Sequence, residues 1–414
     1  MKTERLKNTL VVLLFQFSLL FGQTPIEYRL DFDTELYKQY KVQIHITENQ
    51  KSRLVFAMPA WLPGSYFLHN FGKTVTHLTV QDENHANLPV IKLCDNEWEV
   101  ITNGSPSILL SYHVTPSGHN FLGSPIDSAG ALVQGASTWM YVKGMEHYPA
   151  HISISAPAHR RIATALDYDA SKGVFTASHY DQLADSPILL GDLRDTTFVV
   201  SNVPHELYFR GKADFDLVAF TKMVEKIVRY QISIFNDIPY NRYVFQYSIM
   251  PGYEGGGGLE HGNSTSIGLS GTMLLNDVQS AASITAHEFF HLWNVKRITS
   301  DKMLPLNYQQ EARTTSLWWL EGITSYYTAL TMVRTGIWNP QKFADHIAGQ
   351  ITLLQQNSDR HNTSVARASL TTWERGYYST GISYYNKGQL LGFLLDIMIR
   401  KLTDNNQSLD DVLC

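Results

Sequence analysis

At 414 residues the chain is long enough for two or three domains, each with its own core. Hydrophobic content of 44% and charged content of 17% are those of a globular protein rather than a disordered or fibrous one. A net charge of −5 without any Lys/Arg block argues against a nucleic-acid partner, and two cysteines, Cys94 and Cys414, cannot build a Cys-based structural zinc site.

At the N-terminus, Lys2, Arg5 and Lys7 precede an apolar run from Leu10 to Phe21, closed by Gly22, Gln23, Thr24 and Pro25. A basic start, about a dozen apolar residues and a small residue before a polar break read as a secretory signal over residues 1–22. The run is short for a bilayer span, which makes an uncleaved anchor the weaker alternative. The mature protein is therefore expected to be exported, periplasmic or secreted, with no further membrane segment. Cys94 and Cys414 read as unpaired.

Residues 23–204 are strand-like. Tyr40, Val42, Ile44 and Ile46 alternate with polar residues, and 53–58, 107–114 and 173–178 are further short runs between turn residues. This texture predicts an antiparallel, sandwich-like β domain. The stretch Ala60 to Tyr66, with Pro63 and Gly64 at its centre, reads as a turn pinned by a buried Trp61 rather than as a catalytic element.

From residue 205 helices enter. Leu217, Phe220, Val224, Ile227 and Ile234 have helical spacing, a strand follows over 243–249, then a glycine run from Gly255 to Gly258 and a short strand over 266–269. Asn276 and Asp277 can cap a helix through 285–294, Pro340 opens another, and Leu391, Leu394, Ile397 and Met398 mark a third. The second domain, 205–414, is thus α+β with a mostly helical C-terminal lobe.

The chemistry concentrates at His287-Glu288-Phe289-Phe290-His291. On a helix His287 and His291 share one face, where two imidazoles can hold one Zn²⁺ and Glu288 can reach a metal-bound water as general base. Two core-facing histidines are the bland alternative, but Phe289, Phe290, Leu292 and Trp293 would make such imidazoles costly without a metal. A catalytic zinc needs a third protein ligand, and Glu321, between Leu320 and Gly322 in an apolar aromatic stretch, supplies it. The bland reading of Glu321 is a helix-start carboxylate favoured by the dipole. Lys296 and Arg297 read as partners of that helix's C-terminal dipole.

Three signatures in this order, Gly256-Gly257-Gly258-Leu259-Glu260-His261, the His287–His291 motif continuing through Leu292 to Arg297, and Trp319-Leu320-Glu321-Gly322, resemble the glycyl aminopeptidase family of gluzincin zinc metallopeptidases. Trp61 to Tyr66 and Tyr180 to Pro187 are similar to that family's N-terminal β domain, so the resemblance spans nearly the whole mature chain. It implies a thermolysin-like catalytic domain, one Zn²⁺ on His287, His291 and Glu321, and Glu288 as acid/base. It also implies that Glu260, with Gly257 and Gly258, binds the free amine and backbone of a peptide's N-terminus. Tyr385, with Tyr384 as its rival, matches the residue that stabilises the oxyanion; the rest of the cluster Tyr377, Tyr378, Tyr384 and Tyr385 reads as packing. A preference for small N-terminal residues such as Gly and Ala is implied by the resemblance alone. Members usually continue into a further helical segment and a PDZ domain, so a chain stopping at Cys414 is expected to carry an incomplete helical lobe. The alternatives are an endopeptidase on the same scaffold and a catalytically disabled secreted binding module.

Overall fold

The computed structural model describes residues 23–32, 38–116, 121–250, 252, 256–375 and 381–413. The signal-like segment 1–22, Gly255, Tyr377, Tyr378 and Cys414 lie outside them.

The alternating residues of the first domain form strands as expected. Tyr40–Ile46 buries Tyr40, Val42, Ile44 and Ile46 on one face, as the two-residue pleat requires, and lies between Ile26–Phe32 and Ile108–Val114 in a seven-stranded sheet. That sheet is antiparallel except where Ile26–Phe32 runs parallel to Ala150–Ser155. A parallel pair needs a long crossover, and here the crossover contributes to two smaller four-stranded sheets. Together these sheets enclose a core that includes Phe56, Trp98, Tyr112 and Trp139. Cys94 is exposed and free.

The chain enters the second sheet before residue 205. Arg194–Val200 (β1) and Val203–Arg210 (β2) form an antiparallel pair, and β2 continues parallel to Tyr243–Met250 (β3). The reason is packing: Phe198, Val200, Leu207 and Phe209 join the core under the second sheet rather than that of the first domain. Ser264–Ser270 (β5) runs parallel to β3, and Gly256–Glu260 (β4) closes the edge antiparallel to β5. The order is β1-β2-β3-β5-β4, so the glycine-rich strand is an edge strand.

Helices cover this sheet. Leu217–Phe235 (α1) is capped by Asp216, whose Oδ1 accepts from the Ala219 amide at 2.9 Å, and buries Phe220, Val224, Ile227 and Val228. Ala282–Phe290 (α2) follows a short 3₁₀ turn capped by Asp277. Thr324–Arg334 (α3), Pro340–Gln356 (α4) and Tyr384–Leu402 (α5) form the helical lobe, with Asn339 capping α4 and Ser383 capping α5. Among the described residues, no helix is long and apolar enough to cross a membrane.

The two domains interlock. Leu259 of β4 and Tyr308 lie in the first domain's core, while Ala60, Trp61 and Tyr66 lie in a core with Leu317, Leu320, Trp373 and Tyr384. The turn that reads as local packing is therefore inserted into the catalytic lobe. Trp61 is fully buried as expected, and its Nε1 donates to the Asn307 carbonyl at 2.9 Å, 246 positions away.

Candidate metal centre

The metal-site helix is positioned from both ends and from behind. Ala282, Ala286 and Phe289 turn to the core, and Gln231 of α1 donates from Nε2 to the Ala286 carbonyl at 2.8 Å and to Thr331 Oγ1 at 3.0 Å. That bond fastens α1, α2 and α3 together through one buried side chain. With the aromatic residues of α2 committed to the core, His287 and His291 are left on the remaining face, their ring centroids 4.7 Å apart and nearly perpendicular.

Their nitrogens converge on one carboxylate oxygen. Glu321 Oε2 lies 3.4 Å from His287 Nε2 and 3.2 Å from His291 Nε2. His291 donates its Nδ1 proton to the Asn294 carbonyl at 2.9 Å, which fixes the ring with Nε2 turned to Glu321. His287 Nδ1 lies 3.4 Å from Thr328 Oγ1 on α3.

Glu321 sits in a π-helical stretch, Trp318–Ile323, that runs into α3. Such a wide turn leaves carbonyls without their usual partners, and Asn294, three residues past His291, reaches them. Its Nδ2 donates to the Trp319 carbonyl at 2.9 Å, the Leu320 carbonyl at 3.2 Å and Thr324 Oγ1 at 3.1 Å. One asparagine therefore ties the helix bearing His287 and His291 to the turn bearing Glu321. Behind the π turn, α5 crosses at backbone distance: a Cβ on Gly322 would lie 2.5 Å from the Gly388 Cα. Glycine at both positions brings the start of α5, with Tyr384 and Tyr385, to the site.

Glu288 is buried and lies against the edge strand. A Cβ on Gly258 would fall 2.4 Å from Glu288 Cγ, so Gly258 is required by Glu288 itself. One ligand atom each from His287, His291 and Glu321 lies within 4.8 Å of the others, and the same holds for Glu260, Glu288 and His291. Burial pushes the Glu288 carboxyl well above the usual carboxylate range, opposed by His291 and reinforced by Glu260 and Glu321. Burial alone would lower His291, but the Glu321, Glu260 and Glu288 charges overcome it and raise the imidazole to about 10. The field that would hold a proton there is the field a divalent cation would feel. Two imidazole nitrogens and one carboxylate oxygen, buried and convergent, are a donor set that suits zinc.

Tyr385 faces this set, its ring centroid 6.2 Å from that of His287, while the buried Tyr384 packs edge-on to Tyr66 at 6.4 Å. The two tyrosines that the α5 motif offered touch ring to ring at 4.8 Å, Tyr385 on the side of His287 and Tyr384 on the side of Tyr66.

Three residues of the site carried no functional signal in the sequence. Tyr66 OH, from the turn read as simple packing, donates to Glu321 Oε1 at 3.1 Å. Gly64, in the same turn with φ of 89°, approaches so closely that a Cβ would lie 2.7 Å from Glu260 Oε2. Asp185 of the first domain accepts from Lys296 Nζ at 2.8 Å and from the Gly262 amide at 2.8 Å, and lies 3.0 Å from His261 Nδ1. Lys296 is therefore an interdomain partner rather than a dipole partner, because a buried ammonium needs a carboxylate more than a carbonyl end. Arg297 does bind carbonyls, those of Leu292 and Pro239.

Comparison with known proteins bears on the same residues. The model of the peptidase M61 N-terminal domain matches residues 27–192, and that of the M61 glycyl aminopeptidase matches 280–391, together well over half of the chain and including His287, Glu288, His291, Glu321 and Tyr385. The chain belongs to the M61 glycyl aminopeptidase family. As a member it is a zinc metallo-aminopeptidase, a hydrolase of peptide bonds. A solved aminopeptidase N family protein from Idiomarina loihiensis superposes with a TM-score of 0.89 at 27% identity, over 94% of this chain and 69% of that one. An M1 zinc metallopeptidase from Deinococcus radiodurans shares the fold alone, with a TM-score of 0.53 at 15% identity over 91% of this chain and 84% of that one. A mutant of that enzyme bound to a Tyr-Ser-Ala substrate gives 0.52 at 15% identity, over 92% and 85%. A search of curated proteins finds no match. Glu260, Gly257 and Gly258 lie between the two matched stretches; Glu260 and Gly258 reach the site through His291 and Glu288, while Gly257 pairs with Gly268 on β5.

Proposed function

We propose that this M61 member removes single residues from the N-terminus of peptides, with a preference for small residues such as Gly and Ala. The observation that carries the reading is Glu260: its carboxylate and that of Glu288 fall in one cluster with His291. A carboxylate beside the reacting centre pairs with an ammonium group, and the α-ammonium of a peptide lies one residue from the bond to be cut. Edge strand β4 supports the same pose, because its unpaired side can add an extended peptide as a further strand.

His287, His291 and Glu321 are the residues that hold the ion. A bound Zn²⁺ supplies Lewis-acid polarisation of the scissile carbonyl and lowers the pKa of water. The remaining steps fall to the chain. The Glu288 carboxylate takes a proton from the attacking water and returns it to the leaving amine. Tyr385 donates a hydrogen bond to the oxygen on which negative charge develops. Glu260 holds the α-ammonium, and Gly258 lets Glu288 stand against the strand that carries Glu260. The preference for small residues is supported by family membership, and export by the basic and apolar text of residues 1–22.

The test is a panel of alanyl, glycyl and bulky aminoacyl amides, each with a free or an acetylated amine, with and without chelator. Expected are turnover only with metal, only with a free amine, and fastest for the small residues. Glu260→Gln should lower kcat/KM for free-amine substrates by roughly 10- to 100-fold, the worth of a charge-assisted hydrogen bond. Cleavage that survives acetylation would sink the assignment of Glu260 and make the enzyme an endopeptidase.

A further inference from the structure

We propose that Tyr66, contributed by the N-terminal β domain, is a positioning residue for the metal ligand Glu321, so that the affinity of the catalytic domain for its ion depends on the first domain. The inference rests on the reading of Glu321 as a ligand. The two oxygens of this carboxylate have different partners: Oε2 faces the two histidine Nε2 atoms at 3.4 and 3.2 Å, and Oε1 accepts from the Tyr66 hydroxyl at 3.1 Å. A carboxylate with one oxygen tied to a phenol cannot rotate freely to offer either oxygen, or both, to a metal. Losing a partner that fixes a ligand in this way typically costs about 10- to 100-fold in metal affinity.

The donor is itself held. Tyr66 is 7% exposed, and its ring meets Trp373 at 6.1 Å and Tyr384 at 6.4 Å, both edge-on. Its turn is closed by the Ser65 amide bonding to the Leu62 carbonyl and anchored by Trp61 on Asn307. Gly64 adopts a left-handed φ of 89° where any side chain would strike Leu259 and Glu260. A turn built only to pack would not need to place a hydroxyl on the third ligand and an atom-free backbone face on Glu260. The contact spans 255 positions and joins two domains.

The experiment uses the full chain with Tyr66→Phe and Tyr66→Leu. Zn²⁺ affinity is measured by competition with a chromogenic chelator, and the site is also loaded with Co²⁺ for its visible spectrum. Unfolding of each metal-free variant checks the fold. Expected is a Zn²⁺ Kd weakened about 10- to 100-fold in both variants, with an altered Co²⁺ band and turnover that recovers as Zn²⁺ is raised. A packing role would instead spare Tyr66→Phe and harm only Tyr66→Leu, which overturns the proposal. So does a Tyr66→Phe protein with wild-type Kd and cobalt spectrum but lost kcat, since the hydroxyl would then act on the substrate. Failure of the aminopeptidase reading leaves the Zn²⁺ Kd unaffected, so the two ideas fail separately.

Discussion

Gly258 and Glu288 touch across the gap between the edge strand and the metal-site helix, with no room between them for a methyl group: a Cβ on Gly258 would lie 2.4 Å from Glu288 Cγ and 2.6 Å from Oε1. Glu288, the proposed general base, is thus held by the same strand that carries Glu260 two residues on. Substitution Gly258→Ala must displace the Glu288 carboxylate, and a shift near 1 Å in a reacting group can cost on the order of 100-fold in rate. The expected result is kcat reduced by about that factor with zinc content unchanged. Steady-state kinetics beside metal analysis reads both; a fully active Gly258→Ala enzyme would remove Glu288 from its role.

Asn294 is buried and grips the π turn through three contacts. Asn294→Ala takes a donor from the Trp319 carbonyl and leaves the Leu320 carbonyl only Thr324 Oγ1, at about 1–3 kcal/mol of lost stability in all. Because the turn carries Glu321, metal affinity should fall with it. Denaturant unfolding with and without Zn²⁺ is the measurement, and the stabilisation added by Zn²⁺ should shrink in the variant.

Asp185 joins the domains through Lys296, His261 and Gly262. Burial raises its carboxyl, but Lys296 and His261 outweigh that and hold it at about 2. Asp185→Ala strands a buried ammonium beside Glu260, so a loss of at least about 2 kcal/mol is expected. KM for free-amine substrates should rise as well, since the backbone following Glu260 loses its anchor. Unchanged stability and KM in Asp185→Ala would show that the tether is idle.

His205 gives a pH dependence with a definite sign. Its ring is fully buried, with Nδ1 donating to the Val203 carbonyl at 3.0 Å and Nε2 accepting from Tyr240 OH at 2.7 Å. Burial lowers its pKa from 6.5 to about 4. Between those values the unfolded chain binds the proton and the folded one does not, so stability rises with pH. The contribution is complete above about pH 6.5 and is lost as pH falls toward 4, by up to about 3 kcal/mol. Urea unfolding from pH 7 to 4 should show this loss, and His205→Gln, which cannot titrate, should flatten it.

The candidate metal site was legible because its information is local. His287 and His291 are spaced by one helical turn, and Glu321 stands alone among apolar residues; that the glycine run forms a strand, Gly256–Glu260, appears only in the fold. Strand alternation in Tyr40–Ile46 and the helix start at Pro340 are local in the same sense, whereas Asp277 caps the 3₁₀ turn Val278–Ala281 and not the metal-site helix itself, which follows Ala281. Where the reading stopped short, the missing partner was far away in the chain. Arg194–Val200 looks like any other strand of the first domain until Phe198 and Val200 are seen in the second core.

By itself, then, the sequence determined which groups could bind a metal and move a proton, since periodicity turns spacing into a shared face without reference to the rest of the fold. Tertiary structure alone decided that Tyr66 and Asp185 belong to the same site, 255 and 111 positions from the residues they hold. It also put Tyr385 beside His287 and Tyr384 against Tyr66, and gave Gly258 its reason in Glu288. Contacts of that range leave no period in the text, because they depend on how two independently patterned domains settle against each other.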